Sequence, residues 1–95
     1  MAFRFSMQKV LEYREQQEEE AKVQMAAAQN RLLEARQREE GLRAEIIAAR
    51  DQLDRVDMVQ QGERWLQEQY LKGLQSDLAA SSLQTRMAEQ MVEEA

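Results

Sequence analysis

The 95-residue sequence contains no cysteine, no histidine and no proline, and each absence excludes a class of structure or chemistry. Without cysteine, the chain has neither disulfides nor thiolate metal sites. Without histidine, it lacks the commonest general base and metal ligand. Without proline, nothing in the composition prevents long, uninterrupted helices.

Other features are scarce rather than absent. Aromatic residues make up only 5% of the chain, and the net charge is −5. No window approaches roughly 18 consecutive apolar residues, the length that a membrane-spanning helix needs. The N-terminus lacks the apolar run of a secretory signal, and no basic face suited to duplex nucleic acid is evident. Together these observations predict a cytoplasmic protein that binds no nucleic acid.

What is abundant indicates a coiled coil. Charged residues make up 33% of the chain, and Ala, Glu, Gln, Leu and Arg dominate, as in long helices. Seam residues recur at alternating spacings of three and four, which is typical of a left-handed supercoil and argues against disorder. The first seam comprises Arg4, Met7, Leu11, Arg14, Glu18, Ala21, Met25, Ala28, Leu32, Ala35, Glu39, Leu42, Ile46, Ala49, Leu53 and Val56; the second comprises Leu71, Leu74, Leu78, Ser81, Thr85, Ala88 and Val92.

The two heptad segments are separated by a stretch with turn chemistry. Asp57 and Gly62 interrupt the pattern, which predicts a loop over about residues 56–62. Helix 1 is predicted over about residues 6–55, with Ser6 as its N-cap, and helix 2 over about residues 63–95. We therefore predict an all-α fold with a single domain over residues 1–95, in which two long helices form an antiparallel coiled-coil hairpin.

The two helices differ in length, so the N-terminal part of helix 1 should overhang. At 1.5 Å per residue they span about 75 and about 50 Å, and the end of helix 2 should meet helix 1 near Lys22. An unsupported helix end that carries apolar residues predicts an interaction site, which either a continuation of the natural chain or another chain would cover. The heptad pattern also ends without a helix stop signal, which predicts a C-terminally truncated form of a longer chain. The bare seam further predicts self-association, by pairing of the N-terminal segments.

Two other groups of residues are candidates for partner binding. Trp65 points away from the seam, so it is either a partner anchor or a cover for the loop. Near it, Leu66, Tyr70, Leu71 and Leu74 are expected to share the seam side and to pack against Ile46, Ile47 and Leu53. Leu83, Met87 and Met91 recur every four residues opposite the seam, which favours a third helix, another chain or a larger bundle. Alternatively, truncation of the chain has left them bare.

No motif for catalysis or cofactor binding is found. The carboxylate runs, such as Glu18 to Glu20, are expected to be solvated, because catalytic carboxylates need different, protected environments. The Asp51, Asp54 and Asp57 spacing does not suit a calcium loop. No glycine-rich phosphate loop is present. The sequence predicts a non-enzyme with no cofactor and no metal.

The N-terminal sequence resembles the start of the flagellar FliJ family, whose pattern is approximately F-x-F-x-L-Q-x-V-L-x-x-R followed by acidic residues and Ala. Met7 replaces the usual Leu of that pattern. The stretch from Arg64 to Leu66, with Tyr70, Leu71 and Leu74, resembles the start of that family's second helix. The residues that match the N-terminal pattern are Phe3, Phe5, Gln8, Val10, Leu11 and Arg14.

The resemblance implies a component of the flagellar type III protein export apparatus, cytoplasmic and peripheral to the inner-membrane face. Family members resemble the stalk of rotary ATPases, bind the hexameric export ATPase, promote its assembly and activity, and contact the FlhA export gate. By that likeness the six N-terminal matches face the ATPase, and Trp65 and Tyr70 are weaker candidates for gate contact.

Three other interpretations of the chain remain open at this point. The chain could be a generic, self-associating structural coiled coil. It could also be a chaperone for export substrates or a partner of export chaperones. The basic and aromatic residues within the first fourteen could instead lie on an anionic membrane surface, which the acidic run beginning at Glu15 opposes.

Overall fold

The computed structural model describes residues 2–55 and 61–95, and the side chains of residues 4–55 and 62–95. It contains helix α1, Ala2–Arg55, and helix α2, Gln61–Glu94. The molecule measures 90 × 16 × 14 Å along its principal axes, as expected for two helices side by side. The predicted all-α helical hairpin is confirmed.

The helix ends differ from the predicted positions. Helix α1 begins at Ala2, so Ser6 lies one turn inside it and is not its N-cap. Nothing in residues 2–5 disfavours a helix, so the helix continues through them. Helix α2 begins at Gln61 and includes Gly62. Asp57 and the rest of residues 56–60, the centre of the predicted loop, lie outside the described residues.

Contacts between the helices show that they run antiparallel. Arg38 of α1 donates to Gln84 of α2 at 3.2 Å, and Ser82 donates to Glu39 at 3.0 Å. Nearer the loop, Ile46 and Ala49 pack with Leu74. Residue numbers therefore fall along α2 as they rise along α1, which is the order that a hairpin requires.

The core follows the predicted heptad seam. Ile46, Ala49 and Leu74 are buried, and the half-buried Leu42, Leu71 and Leu78 surround them. Farther from the loop, the seam is buried through small residues, Ala28 and Ala88. Alanine lets helices approach closely, but each alanine removes little apolar area from water, so this thin molecule depends on many weak layers.

A polar layer interrupts the seam at mid-hairpin. Glu39 occupies a seam position of α1 and is only 9% exposed, while Ser81 and Thr85 face it from α2 and are 4% and 5% exposed. Glu39 accepts hydrogen bonds from Ser82 and, at 2.5 Å, from Arg43. A polar group at a single seam position disfavours shifted pairings, so this layer helps to set the register of the two helices.

The surroundings of Glu39 favour its charged form. The hydroxyls of Thr85 and Ser82 lower the pKa of this carboxyl below its ordinary value, and Arg43 and Arg86 lower it further, while burial acts in the opposite direction. The Thr85 hydroxyl also lies 3.1 Å from the Ser81 carbonyl, to which it can donate instead. The Ser81 hydroxyl is buried without a hydrogen-bond partner among the described residues.

The prediction for Leu66 and Tyr70 was wrong, because both are exposed rather than packed in the seam. The heptad that contains Leu71 and Leu74 extends back to Arg64 and Gln67, which are half-buried. Those two polar residues therefore occupy the seam at the start of α2.

The prediction that Ile47 packs in the hairpin was also wrong. Ile46 is buried in the seam, whereas the neighbouring Ile47 is 68% exposed. Consecutive helical residues point about 100° apart, so the two isoleucines cannot both face α2.

The N-terminal part of α1 overhangs, as predicted. Every side chain from residue 4 to residue 24 is exposed, and Met25 is the first that is half-buried. Glu94, the last residue of α2, and Ala95, which follows it, lie beside Gln24 and Ala28. We call residues 4–24 the overhang. Within the described part of the chain, neither helix is long and apolar enough to cross a membrane.

Candidate protein-binding surfaces

The overhang presents the residues of the N-terminal motif on a bare helix. The side chains of Phe5, Met7, Val10 and Leu11 are each more than half exposed. Met7 and Leu11 occupy seam positions, so they would face α2 if that helix extended this far. Helix α2 reaches Gln24 and Ala28, and among the described residues no helix packs on this stretch of the seam.

The remaining motif residues have the following positions. Gln8 and Arg14 are exposed on the same overhang. The side chain of Phe3 lies outside the described residues. The ammonium of Lys9 lies 4.8 Å from the centroid of the Phe5 ring, a cation–π contact that holds the ring against its own helix. Five of the six predicted motif residues thus share one accessible helical segment.

The loop end carries a second exposed group on α2. The side chains of Trp65, Leu66 and Tyr70 are 58%, 62% and 56% exposed. Residues 56–60, the centre of the predicted loop, lie outside the described residues, so both interpretations of Trp65 remain predictions. Tyr70 is accessible to a partner in either case.

A third group, which we call the methionine row, consists of Leu83, Met87 and Met91. Each of these side chains is about half exposed. Met87 and Met91 border a shallow groove with Arg31 and Arg38 of α1. Methionine is flexible and polarizable, so such a surface adapts to partners of different shape. The structure places this row near the overhang, in the half of the hairpin away from the loop.

Sequence reasoning missed a fourth surface, which only pairing of the two helices creates. We call it the arginine groove: a groove of about 570 Å³ in the loop-proximal half of the hairpin. Its apolar floor and its basic rim come from both helices, and its principal lining residues are Ile46, Ile47, Leu78, Arg43, Arg50 and Arg86. A signal was present in the sequence, since Arg43 and Arg50 are seven residues apart and therefore share one side of a coiled-coil helix.

Among the described residues, no three acidic side chains are grouped closely enough to hold a metal ion. The hydroxyls of Thr85 and Ser82 lower the pKa of the Glu39 carboxyl, and Arg43 and Arg86 lower it further.

Comparison with protein-family models, with curated proteins and with solved structures finds no match for this chain. The exposed surfaces described above are therefore the basis for a functional proposal, together with the sequence resemblance of the overhang.

Proposed function

We propose that the chain is a non-catalytic, stalk-like component of the flagellar type III protein export apparatus. In this proposal it binds the hexameric export ATPase, promotes assembly and activity of that ring, and contacts the FlhA export gate. It works on the cytoplasmic side, peripherally associated with the inner-membrane face of the apparatus. Its contribution is to bind and orient other proteins.

One observation carries the proposal: five of the six residues that match the FliJ pattern lie exposed on the overhang. Leu11 occupies a seam position and would be an ordinary core residue if α2 covered it, and a resemblance at core positions would reflect packing alone; Phe5 and Val10 lie beside the seam, not in it. On a bare helix they are free to bind a partner. Exposed apolar groups of this density are typical of interaction sites.

The gate contact is assigned to the loop end by the same resemblance. Trp65 and Tyr70 supply large, rigid, exposed aromatic groups at the start of α2. Aromatic side chains of this kind often dominate binding energy at protein interfaces.

The test is ATP hydrolysis by the export ATPase of the same bacterium, with and without this chain. We expect stimulation by the unchanged chain and its loss with the double variant Phe5→Ala/Leu11→Ala. The matched control is Tyr13→Ala/Val23→Ala, which removes two exposed residues of the overhang outside the motif. The control should retain stimulation. No stimulation by the unchanged chain, with an active ATPase, would refute the proposal.

A second candidate function is a chaperone for export substrates, and the methionine row favours it. Leu83, Met87 and Met91 form an exposed, adaptable apolar strip that suits unfolded segments of varied sequence. Capture of a purified export substrate that is lost with Met87→Ala/Met91→Ala, but is unaffected by Phe5→Ala/Leu11→Ala, would support this candidate over the first.

A further inference from the structure

Along one side of α1, the charges are ordered so that a second copy of the helix, running in the opposite direction, would place opposite charges against them. The positions that border the arginine groove, Arg43, Ile47 and Arg50, recur at spacings of four and three. The same spacing continued toward the N-terminus reaches, in chain order, Glu12, Glu15, Glu19, Lys22, Ala26, Gln29, Leu33, Arg36 and Glu40. This strip is acidic in the overhang and mainly basic beside the groove.

We propose that a second copy of this chain docks its overhang into the arginine groove, so that two hairpins form a symmetric antiparallel dimer. With the two-fold axis near Arg31, Glu12 of one copy faces Arg50 of the other, and Glu19 faces Arg43. The same register brings Lys22 opposite Glu40. Each of these pairs occurs twice because the interface is isologous.

The structure leaves these charged groups accessible. All of residues 4–24 are exposed, and so are Glu40, Arg43 and Arg50. Arg43 already bonds Glu39 through one guanidinium nitrogen, but a guanidinium carries five N–H donors, and the others remain available. Arg86 of α2 adds a third positive charge to the same groove.

Docking also covers apolar surface that the hairpin leaves bare. Ile47, on the floor of the groove, is 68% exposed. The proposed register places Glu15 of the second copy opposite Ile47, where its aliphatic stem can cover the apolar side chain, and Leu11 about 6 Å farther along the helix, level with Asp51. Exposed ion pairs contribute little individually, so the dimer should be weak and should dissociate at high salt. This arrangement differs from pairing of two overhangs, because the overhang of each copy contacts the hairpin of the other.

The test uses charge reversal and its rescue, followed by sedimentation equilibrium at low ionic strength. We expect the unchanged chain to dimerise, and we expect Arg50→Glu or Glu12→Arg alone to raise the dissociation constant of the dimer at least about tenfold, since facing like charges repel. The double variant Arg50→Glu/Glu12→Arg should restore the dimer. Within one chain these residues are about 57 Å apart at 1.5 Å per residue, so the rescue can only act between copies.

Controls separate the proposed contact from loss of folding or a change of net charge. Arg31→Glu changes the charge as Arg50→Glu does, but it lies on the other side of α1 with Met91 and Glu94, and it should leave the dimer unchanged. Circular dichroism of every variant should show equal helix content.

Three results would overturn the proposal. The first is a chain that stays monomeric at all concentrations. The second is a dimer that is insensitive to both single reversals, which would instead indicate apolar pairing of the overhangs. The third is a double variant that is no better than either single variant. The failure of this proposal can be distinguished from failure of the proposed function, because Arg50→Glu and Glu12→Arg alter no residue of the N-terminal motif and sedimentation is measured without the ATPase.

Discussion

At the scale of single residues, two adjacent serines of α2 have opposite roles in the polar layer. Ser81 points into the seam and is buried without a hydrogen-bond partner among the described residues. Ser82 lies at the edge of the seam and donates a hydrogen bond to Glu39. A buried unpaired hydroxyl is destabilising, whereas a hydroxyl bonded to a carboxylate is stabilising.

We therefore predict that Ser81→Ala raises the free energy of unfolding by about 1 kcal/mol. The free energy of unfolding of Ser82→Ala should be lower than that of Ser81→Ala. Both variants gain the same helix propensity, but only Ser82→Ala loses a hydrogen bond. Urea unfolding followed by circular dichroism measures the two variants side by side. Equal stability of the two would contradict the assigned roles.

Glu39 gives a second prediction at the residue scale, because the lowered pKa links its charge to folding. A carboxyl whose pKa is lower in the folded state stabilises that state above its unfolded-state pKa. The contribution is lost as the pH falls through the lowered pKa of the folded state. Stability from this source should thus be fully present at neutral pH and should disappear in acid, below the ordinary carboxyl pKa of 4.5.

The variant Glu39→Gln should consequently be less stable than the unchanged chain at neutral pH, and the difference should shrink on acidification. Urea unfolding at a series of pH values tests this, with Glu40→Gln as the control for losing an exposed carboxyl next in the chain. A difference between Glu39→Gln and the unchanged chain that stays constant with pH would show that the carboxylate charge is not what stabilises the layer.

At the scale of the helices, two glycines lie inside long helical segments without a packing reason. Gly41 of α1 and Gly73 of α2 have no atom of a neighbour within 4 Å of where a Cβ would be placed. Glycine costs about 1 kcal/mol relative to alanine in a helix interior, because it loses more backbone entropy on folding.

Gly41→Ala and Gly73→Ala should therefore each raise the free energy of unfolding by about 1 kcal/mol. Gly62→Ala is the control, because Gly62 is in the first turn of α2, where helix ends fray and the gain should be smaller. Thermal and urea unfolding of the three variants provides the comparison. Destabilisation by alanine at residue 41 or 73 would indicate a close approach that the isolated chain does not show.

At the scale of the whole molecule, the unequal lengths of the helices determine what is exposed. With 54 residues in α1 and 34 in α2, the excess lies at the N-terminal end, where the motif residues are. The monomer has a radius of gyration of 24.3 Å. The proposed dimer would place the hairpins side by side about a central axis and would cover the acidic side of each overhang, so that side would be withdrawn from any other partner.

The two proposed contacts of the overhang use different sides of one helix. Phe5, Val10 and Leu11 belong to the proposed ATPase surface, whereas Glu12 and Glu19 face the second copy in the proposed dimer. Leu11 is shared, because it borders both sides. If both proposals hold, dimer formation and ATPase binding should compete, since a single helix cannot pack against two bulky partners along the same length.

The heptad alone determined the two helices, the seam from Met25 onward, and the overhang. Those features follow from local spacing and from helix length, and both can be obtained from the printed sequence. The sequence also showed that Glu39, Ser81 and Thr85 are polar residues at positions of two separate seams where apolar residues are expected. It could not show that they meet, because their contact depends on the register between helices.

Only the tertiary structure decided which residues of the two helices meet. It showed that Arg64 and Gln67, rather than Leu66 and Tyr70, continue the seam at the start of α2. It joined Arg86 of α2 to Arg43 and Arg50 of α1 in one groove. Periodicity describes each helix by itself, whereas grooves and polar layers depend on the register of the second helix against the first.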